Sequence, residues 1–217
     1  MNNLTTFYVV RHGESEGNAN HTLGVQLENT PFGSSLTTIG VEQAENTARL
    51  LGSVHFDKVI SSTLTRAHMT AKILAEEKGL FVETTELLKE RSRGKIVGDL
   101  EKKIAKRLGN IFNEMELMTT EEQVALKDEY GIELRDETTS RIITFLRECA
   151  IAYPDKTLLL VTHGAVMRSL LIHLGFGTGK ELGSGAIKNA AYFTMKSDGV
   201  DFFLGELYNI NKVIIKG

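Results

Sequence analysis

The chain has 217 residues, 41% hydrophobic and 24% charged, ordinary values for a soluble globular fold and enough to bury one sizeable core. A formal net charge of -3 offers no bulk attraction to nucleic acid or to an anionic membrane, so an anion site must be a local gathering of positive groups. The single cysteine, Cys149, excludes an internal disulfide and a cysteine-rich zinc site. No basic segment followed by a long apolar run opens the sequence, and no apolar run approaches the roughly 20 residues of a membrane span. A cytoplasmic protein without nucleic-acid or membrane partners is expected; the oligomeric state is not legible.

Taken in order, Phe7, Tyr8, Val9 and Val10 predict a strand that stops at Arg11-His12 and runs into the loop formers Gly13, Ser15, Gly17 and Asn18. Residues 19–37 predict a long loop at the rim of a site, with His21 and Glu28 as surface groups. A helix is expected over 38–51, capped by Thr37 or Thr38, with Val41, Ala44, Ala48 and Leu51 on one face. A short strand at 58–61 leads to a helix opening at Thr65, with Ala67, Ala71, Ile73 and Leu74 inward. Arg66 falls in that helix's first turn, where the dipole disfavours a cation and an anionic partner would explain it. A third strand at 80–83 precedes a mixed-charge stretch in which Glu90 stands among Lys89, Arg91 and Arg93.

Residues 99–136 are rich in charge and helical in pattern, with Leu100, Ile104, Leu108, Ile111 and Met115 as an apolar stripe and a shorter helix over 121–130. We read this block, approximately 95–136, as a helical cap inserted in a single domain, 1–217. A helix over 137–152 turns Ile142, Ile143, Phe145, Leu146 and Cys149 inward, so Cys149 is a core residue and not a nucleophile. The continuous apolar run 157–161 suits a strand covered on both faces and ends in Thr162-His163-Gly164. A helix over 165–174 and a hairpin of strands 190–196 and 200–208, turning at Ser197-Asp198-Gly199, complete the pattern. The alternation predicts an α/β fold of three layers, α/β/α, with a mostly parallel central sheet.

His163 thus stands where His12 stands, at a strand end before a glycine. Ligands of open α/β sheets bind outside the carboxyl ends of the strands, so Arg11, His12, Arg66, Glu90 and His163 would converge at one edge. Two guanidiniums match phosphate oxygens, Gly13 and Gly164 allow close backbone approach, and an imidazole can attack phosphorus. A carboxylic acid would protonate the departing alkoxide. A metal site built from His12, Glu14, Glu16 and His21 has no compact ligand spacing, and Arg11 would repel a cation; neither metal nor other cofactor is expected.

These residues make the chain resemble the histidine phosphatase superfamily, the phosphoglycerate-mutase-like family. Its signatures stand here as Arg11-His12-Gly13-Glu14 with Asn18; Ser61-Ser62, Arg66-Ala67 and Thr70-Ala71; Leu88, Glu90, Arg91 and Gly94; and Val161, His163 and Gly164. Weaker matches are Leu36-Thr37, Gly40 and Gln43-Ala44, and Asn189. The resemblance implies that His12 is the nucleophile and becomes phosphohistidine. Arg11, Arg66 and His163 would hold the phosphoryl oxygens, with Asn18 and Gly164 assisting, and Glu90 would act as acid and then base. Glu90 must hold a proton for its first role, against the pull of Arg91 and Arg93.

Two departures bear on the reaction. The Trp-Glu-Gly common in the family's phosphatases is replaced by Ile96-Val97-Gly98, and the chain has no Trp. The Tyr that follows Glu-Arg in the mutases is replaced by Ser92-Arg93, and the cap lacks paired arginines. The expectation is therefore a metal-independent phosphomonoesterase acting on a small phosphorylated metabolite, with Arg91, Arg93 or Lys95 reading an extra anionic group. The alternatives are a phosphoglycerate-type mutase and a non-catalytic phospho-ligand-binding protein of the same fold.

Overall fold

A computed structural model describes residues 4–19, 33–94, 115, 118–183 and 185–213. The strands are β1 (Thr5–Arg11), β2 (Lys58–Ser62), β3 (Val82–Thr85), β4 (Thr157–Thr162), β5 (Ile187–Ser197) and β6 (Phe202–Ile210). They form one mixed sheet in the order β3-β2-β4-β1-β5-β6. The first four in that order run parallel, and β5 and β6 are antiparallel additions at one side. The helices are α1 (Glu16–Ala19), α2 (Thr38–Leu50), α3 (Thr65–Glu76), α4 (Thr120–Tyr130), α5 (Arg135–Ala152) and α6 (Gly164–His173), with a 3-10 turn at Glu86–Leu88.

Strand alternation sorts the apolar residues into two cores. Val10, Val59, Leu159 and Val161 face α2 and α3, meeting Ala48, Leu51, Ala67, Ala71 and Leu74. Phe7, Val9, Ile60, Leu158 and Leu160 face α5 and α6, meeting Ile142, Phe145, Leu146, Val166, Met167 and Leu170. β4 is central and buried on both faces, which is why its sequence is apolar without alternation. The result is the expected α/β/α sandwich.

The boundaries that moved have local causes. β3 pairs with β2 from Val59↔Val82 to Ser62↔Thr85, two residues later than predicted, because Gly79 turns at φ +63 and Leu80 and Phe81 are spent reaching the sheet edge. α5 starts at Arg135, where the Glu137 carboxylate reaches back to the Leu134 N–H at 2.9 Å. α4 begins on a capping box between Thr119 and Glu122. α1 and the 3-10 turn, too short for a periodic signal, were not predicted. Ile73 is only half-buried.

Met115 packs on Ile132 in a third, small apolar cluster beside α4. The expectations for His21 and Glu28, for Leu100, Ile104, Leu108 and Ile111, and for Lys95 and Ile96-Val97-Gly98 fall outside the described residues. Among the described residues, no helix is long and apolar enough to cross a membrane.

Candidate active site

β1 and β4 are parallel neighbours in the register Arg11↔Thr162, so the next residue of each, His12 and His163, leaves the sheet at the same edge. Their rings lie 5.1 Å apart at 60°. β2 lies beside β4 and ends at Ser62, so α3 begins at the same edge and brings Arg66 in its first turn. Arg66 Nε donates to His12 Nε2 at 3.1 Å. The Arg11 side chain lies along Gly164, where a methyl group would sit 3.2 Å from Nε, and its Nη1 donates to the Ile187 carbonyl at 2.5 Å. Glycine at 164 is what lets a guanidinium lie against the start of α6.

The hydrogen bonds fix the His12 tautomer. His12 Nδ1 is 2.6 Å from the Gly13 carbonyl, which can only accept, so Nδ1 carries the proton. Nε2 then holds a lone pair, consistent with its accepting from Arg66. His163 Nε2 is 2.8 Å from Ser62 Oγ, which also accepts from the Leu64 N–H at 3.2 Å. Arg11 Nε is a buried donor, and His163 Nδ1 a buried ring nitrogen, without a hydrogen-bond partner among the described residues. Buried donors of this kind call for a partner.

Burial holds both histidines well below their ordinary range, and the charges of Arg66 and Arg11 push them further the same way. Burial also lowers Arg11 and Arg66, while the negative charge of Glu90 acts on both in the opposite sense. The edge therefore holds two guanidiniums around two neutral imidazoles, with one carboxylate within electrostatic reach. Glu90 Oε1 accepts from the Arg91 N–H at 2.9 Å and Oε2 from the Ala165 N–H at 3.3 Å, at the first turn of α6.

Asn18 Oδ1 accepts from Ser15 N, Ser15 Oγ and Asn189 Nδ2, at 3.1 to 3.2 Å, which leaves its amide nitrogen as the group to offer a ligand. Arg91 turns towards α4 instead: its Nε donates to the Glu133 carbonyl at 2.7 Å, and it lines a cavity with Gln123, Leu134 and Arg135. Arg93, half-buried, lies further along the same loop.

Sequence reasoning quoted Ser62, Thr70 and Asn189 as motif members without a task. Ser62 Oγ holds His163 Nε2 at 2.8 Å. Thr70 Oγ1 accepts from the Gly13 N–H at 3.0 Å and donates to the Arg66 carbonyl at 2.8 Å. Asn189 Nδ2 donates to the His12 carbonyl at 3.2 Å. The available signal was helical spacing, since Thr70 lies four residues after Arg66 on one face of α3. Among the described residues, no three His, Cys, Asp or Glu side chains gather so as to hold a metal ion.

The model of the histidine phosphatase superfamily (branch 1) matches residues 7–209. The chain belongs to that superfamily. Relatives of this superfamily member include the uncharacterized phosphatase PhoE of Bacillus subtilis (strain 168), 28% identical over 209 residues and 96% of both chains. The 2,3-bisphosphoglycerate-dependent phosphoglycerate mutase of Cytophaga hutchinsonii is 28% identical over 180 residues, 76% of this chain and 75% of that one. The solved structure of a mycobacterial glucosyl-3-phosphoglycerate phosphatase superposes with a TM-score of 0.73 at 21% identity, covering 96% of this chain and 100% of the other. At that identity the superposition speaks for the fold.

Proposed function

We propose that the chain is a metal-independent phosphomonoesterase that carries the phosphoryl group on His12 Nε2. The observation that supports this most directly is the tautomer of His12: the Gly13 carbonyl holds the proton on Nδ1 and leaves the Nε2 lone pair facing Arg66. Burial and two neighbouring cations keep that ring unprotonated. Arg66 gives up Nε2 to the incoming phosphorus and turns its N–H groups to the phosphoryl oxygens. Arg11 Nε supplies a further donor, His163 Nδ1 another in the tautomer that carries its proton there, and the Asn18 amide a third.

In the first half-reaction the Nε2 lone pair forms the N–P bond as the P–O bond to the alcohol breaks, and Glu90, which must enter this step protonated, delivers its proton to the departing oxygen. The positive charge arising on the imidazole is met at Nδ1–H by the Gly13 carbonyl. In the second half-reaction the Glu90 carboxylate takes a proton from water, the hydroxide bonds to phosphorus, and the N–P bond breaks, returning the lone pair to Nε2. Positioning and charge stabilisation provide most of the acceleration in phosphoryl transfer.

The testing experiment is a panel of phosphorylated metabolites, sugars, nucleotides and phosphopeptides scored for released phosphate, with wild type and His12→Ala side by side. Release that disappears in His12→Ala, with acid-labile phosphate trapped on the wild-type chain, supports the reading. Phosphate moved to a second hydroxyl of a phosphoglycerate in place of release would make the chain a mutase, like its Cytophaga relative. Tight phosphate-ester binding without turnover would make it a binding protein.

A further inference from the structure

The backbone on both sides of Glu90 is held by one ion pair, between Arg141 of α5 and Glu133. Arg141 Nε donates to Glu133 Oε1 at 2.6 Å and Nη2 to Oε2 at 3.1 Å, a two-pronged pair with both side chains largely buried. The remaining donors go to the stretch before Glu90: Nη1 to the Leu87 carbonyl at 2.6 Å and Nη2 to the Lys89 carbonyl at 2.8 Å. The carbonyl between them, Leu88, accepts from Thr162 Oγ1 at 2.8 Å. On the far side of Glu90, the Glu133 carboxylate accepts from the Ser92 N–H at 3.0 Å, and the Glu133 N–H donates to the Ser92 carbonyl at 3.0 Å.

Three successive carbonyls before Glu90 and both backbone groups of the second residue after it are thereby fixed. Two of the three carbonyls and the Ser92 N–H depend on the same Arg141–Glu133 pair. Between these fixed points stand Glu90 and Arg91, whose carboxylate and N–H close the short loop, with the Arg91 guanidinium on the Glu133 carbonyl. A charged residue on the inward stripe of a helix needs such a purpose: Arg141 lies three residues after buried Thr138 and four before buried Phe145.

We infer that Arg141, braced by Glu133, is a positioning residue that sets where the Glu90 carboxyl meets the leaving-group oxygen. The inference rests on Glu90 as the proton donor. A proton donor matters most when the leaving group is a poor one, because a phenolate such as nitrophenolate departs without help. Displacing the carboxyl by even an ångström-scale distance should therefore slow an alkyl phosphate and leave p-nitrophenyl phosphate largely unaffected.

The test measures kcat/KM for an alkyl phosphate accepted by the wild type and for p-nitrophenyl phosphate, and takes their ratio within each variant, so that loss of folded protein cancels. Arg141→Met is expected to lower the ratio by about tenfold. Glu133→Gln leaves Arg141 its two carbonyls and should lower it less, carrying the test where Arg141→Met folds poorly. Glu90→Gln should lower the ratio furthest, and adding Arg141→Met to it should change the ratio no more. A wild-type ratio in both Arg141→Met and Glu133→Gln, with a lowered ratio in Glu90→Gln, overturns the positioning role alone. A wild-type ratio in Glu90→Gln removes the proton donor and the inference with it. A further drop in the double variant shows Arg141 acting elsewhere and overturns the inference as well.

Discussion

Gly40→Ala separates what helix propensity predicts from what the site's geometry predicts. Gly40 is the third residue of α2, where alanine for glycine should ordinarily stabilise by about 0.5–1 kcal/mol. Here the new methyl would meet the Glu14 carbonyl oxygen at 1.9 Å, with Glu14 C and N at 2.8 and 2.9 Å. These are backbone atoms, and bringing the closest from 1.9 Å to the 3.0 Å that real Cβ atoms tolerate moves the loop or the helix by about 1 Å. The Glu14 carbonyl accepts from the Thr37 N–H at 3.0 Å, the Glu14 N–H donates to Gln43 Oε1 at 2.8 Å, and Thr37 Oγ1 donates to Glu14 Oε1 at 2.8 Å. Weakening two or three such bonds at about 1 kcal/mol each, with the strain of overpacking, gives a net loss of about 2–4 kcal/mol. The same shift passes through Gly13 to His12, so kcat should fall by about ten- to a hundredfold. Urea unfolding and phosphate release from p-nitrophenyl phosphate read the two effects. A variant as stable and as active as wild type, or more stable, would refute the close approach of α2 to the turn after His12.

Thr70→Val keeps the shape and removes the acceptor of the Gly13 N–H, so it should cost about 1–3 kcal/mol in urea unfolding and lower kcat more than it raises KM. The two neutral histidines predict a pH effect on stability. Above about 6.5 both rings are neutral in the folded and unfolded chain and contribute nothing. Below it the unfolded chain takes up protons that the folded chain refuses, so stability falls as pH falls, by up to about 1.4 kcal/mol per unit for each ring. Urea midpoints at pH 7.5 and 5.5 should differ more in wild type than in His12→Asn/His163→Asn; equal differences would remove the two rings as the cause. Burial pushes the Cys149 thiol up to about 11, so it should stay unreactive to a thiol reagent in native buffer and react fully in urea.

The parts of the fold set by side-chain periodicity could be read before any coordinates. β4 was visible as an uninterrupted apolar run, and α5 as a stripe through Ile142, Leu146 and Cys149, because burial on two faces or one leaves those patterns directly. β5 was cut short at 190 because Lys188 and Asn189 break the apolar run, yet the strand reaches back to Ile187 through the irregular pairing around Ala190. The cage residues were readable because each sits at a strand or helix end next to a glycine or a capping position. The residues that orient them were not. Ser62, Thr70, Asn189 and Arg141 act through hydrogen bonds across 57 to 177 positions of sequence or through an ion pair with its own network, and apart from the helical spacing of Thr70 from Arg66 local pattern carries no trace of such contacts. The match at Thr37, Gly40 and Gln43 looked weak as a motif. It gains its meaning only from the approach of α2 to Gly13 and Glu14.

The reversal of β5 explains how a fourth strand serves the same edge. Being antiparallel to β1, β5 brings its beginning, and not its end, to the place where β1 stops at Arg11. Ile187 then offers its carbonyl to Arg11, while Asn189 and the Ala190 N–H both donate to the His12 carbonyl, at 3.2 Å each. Regular pairing would turn this stretch away, and the chain instead takes Ala190 through φ +54, a left-handed conformation costing a non-glycine residue about 1–2 kcal/mol. Thr47 Oγ1 on α2 holds the Ala190 carbonyl at 2.9 Å and helps offset that cost. Strain of this sort persists where surrounding contacts over-determine it. Here those contacts fix the His12 carbonyl from one side, as Thr70 fixes the next N–H from the other. The His12–Gly13 peptide is therefore clamped by β5, α2 and α3 together, so that of the groups around His12 Nε2 it is the Arg66 side chain, bonded to that nitrogen, that must turn for a phosphoryl group to reach it in the proposed reaction.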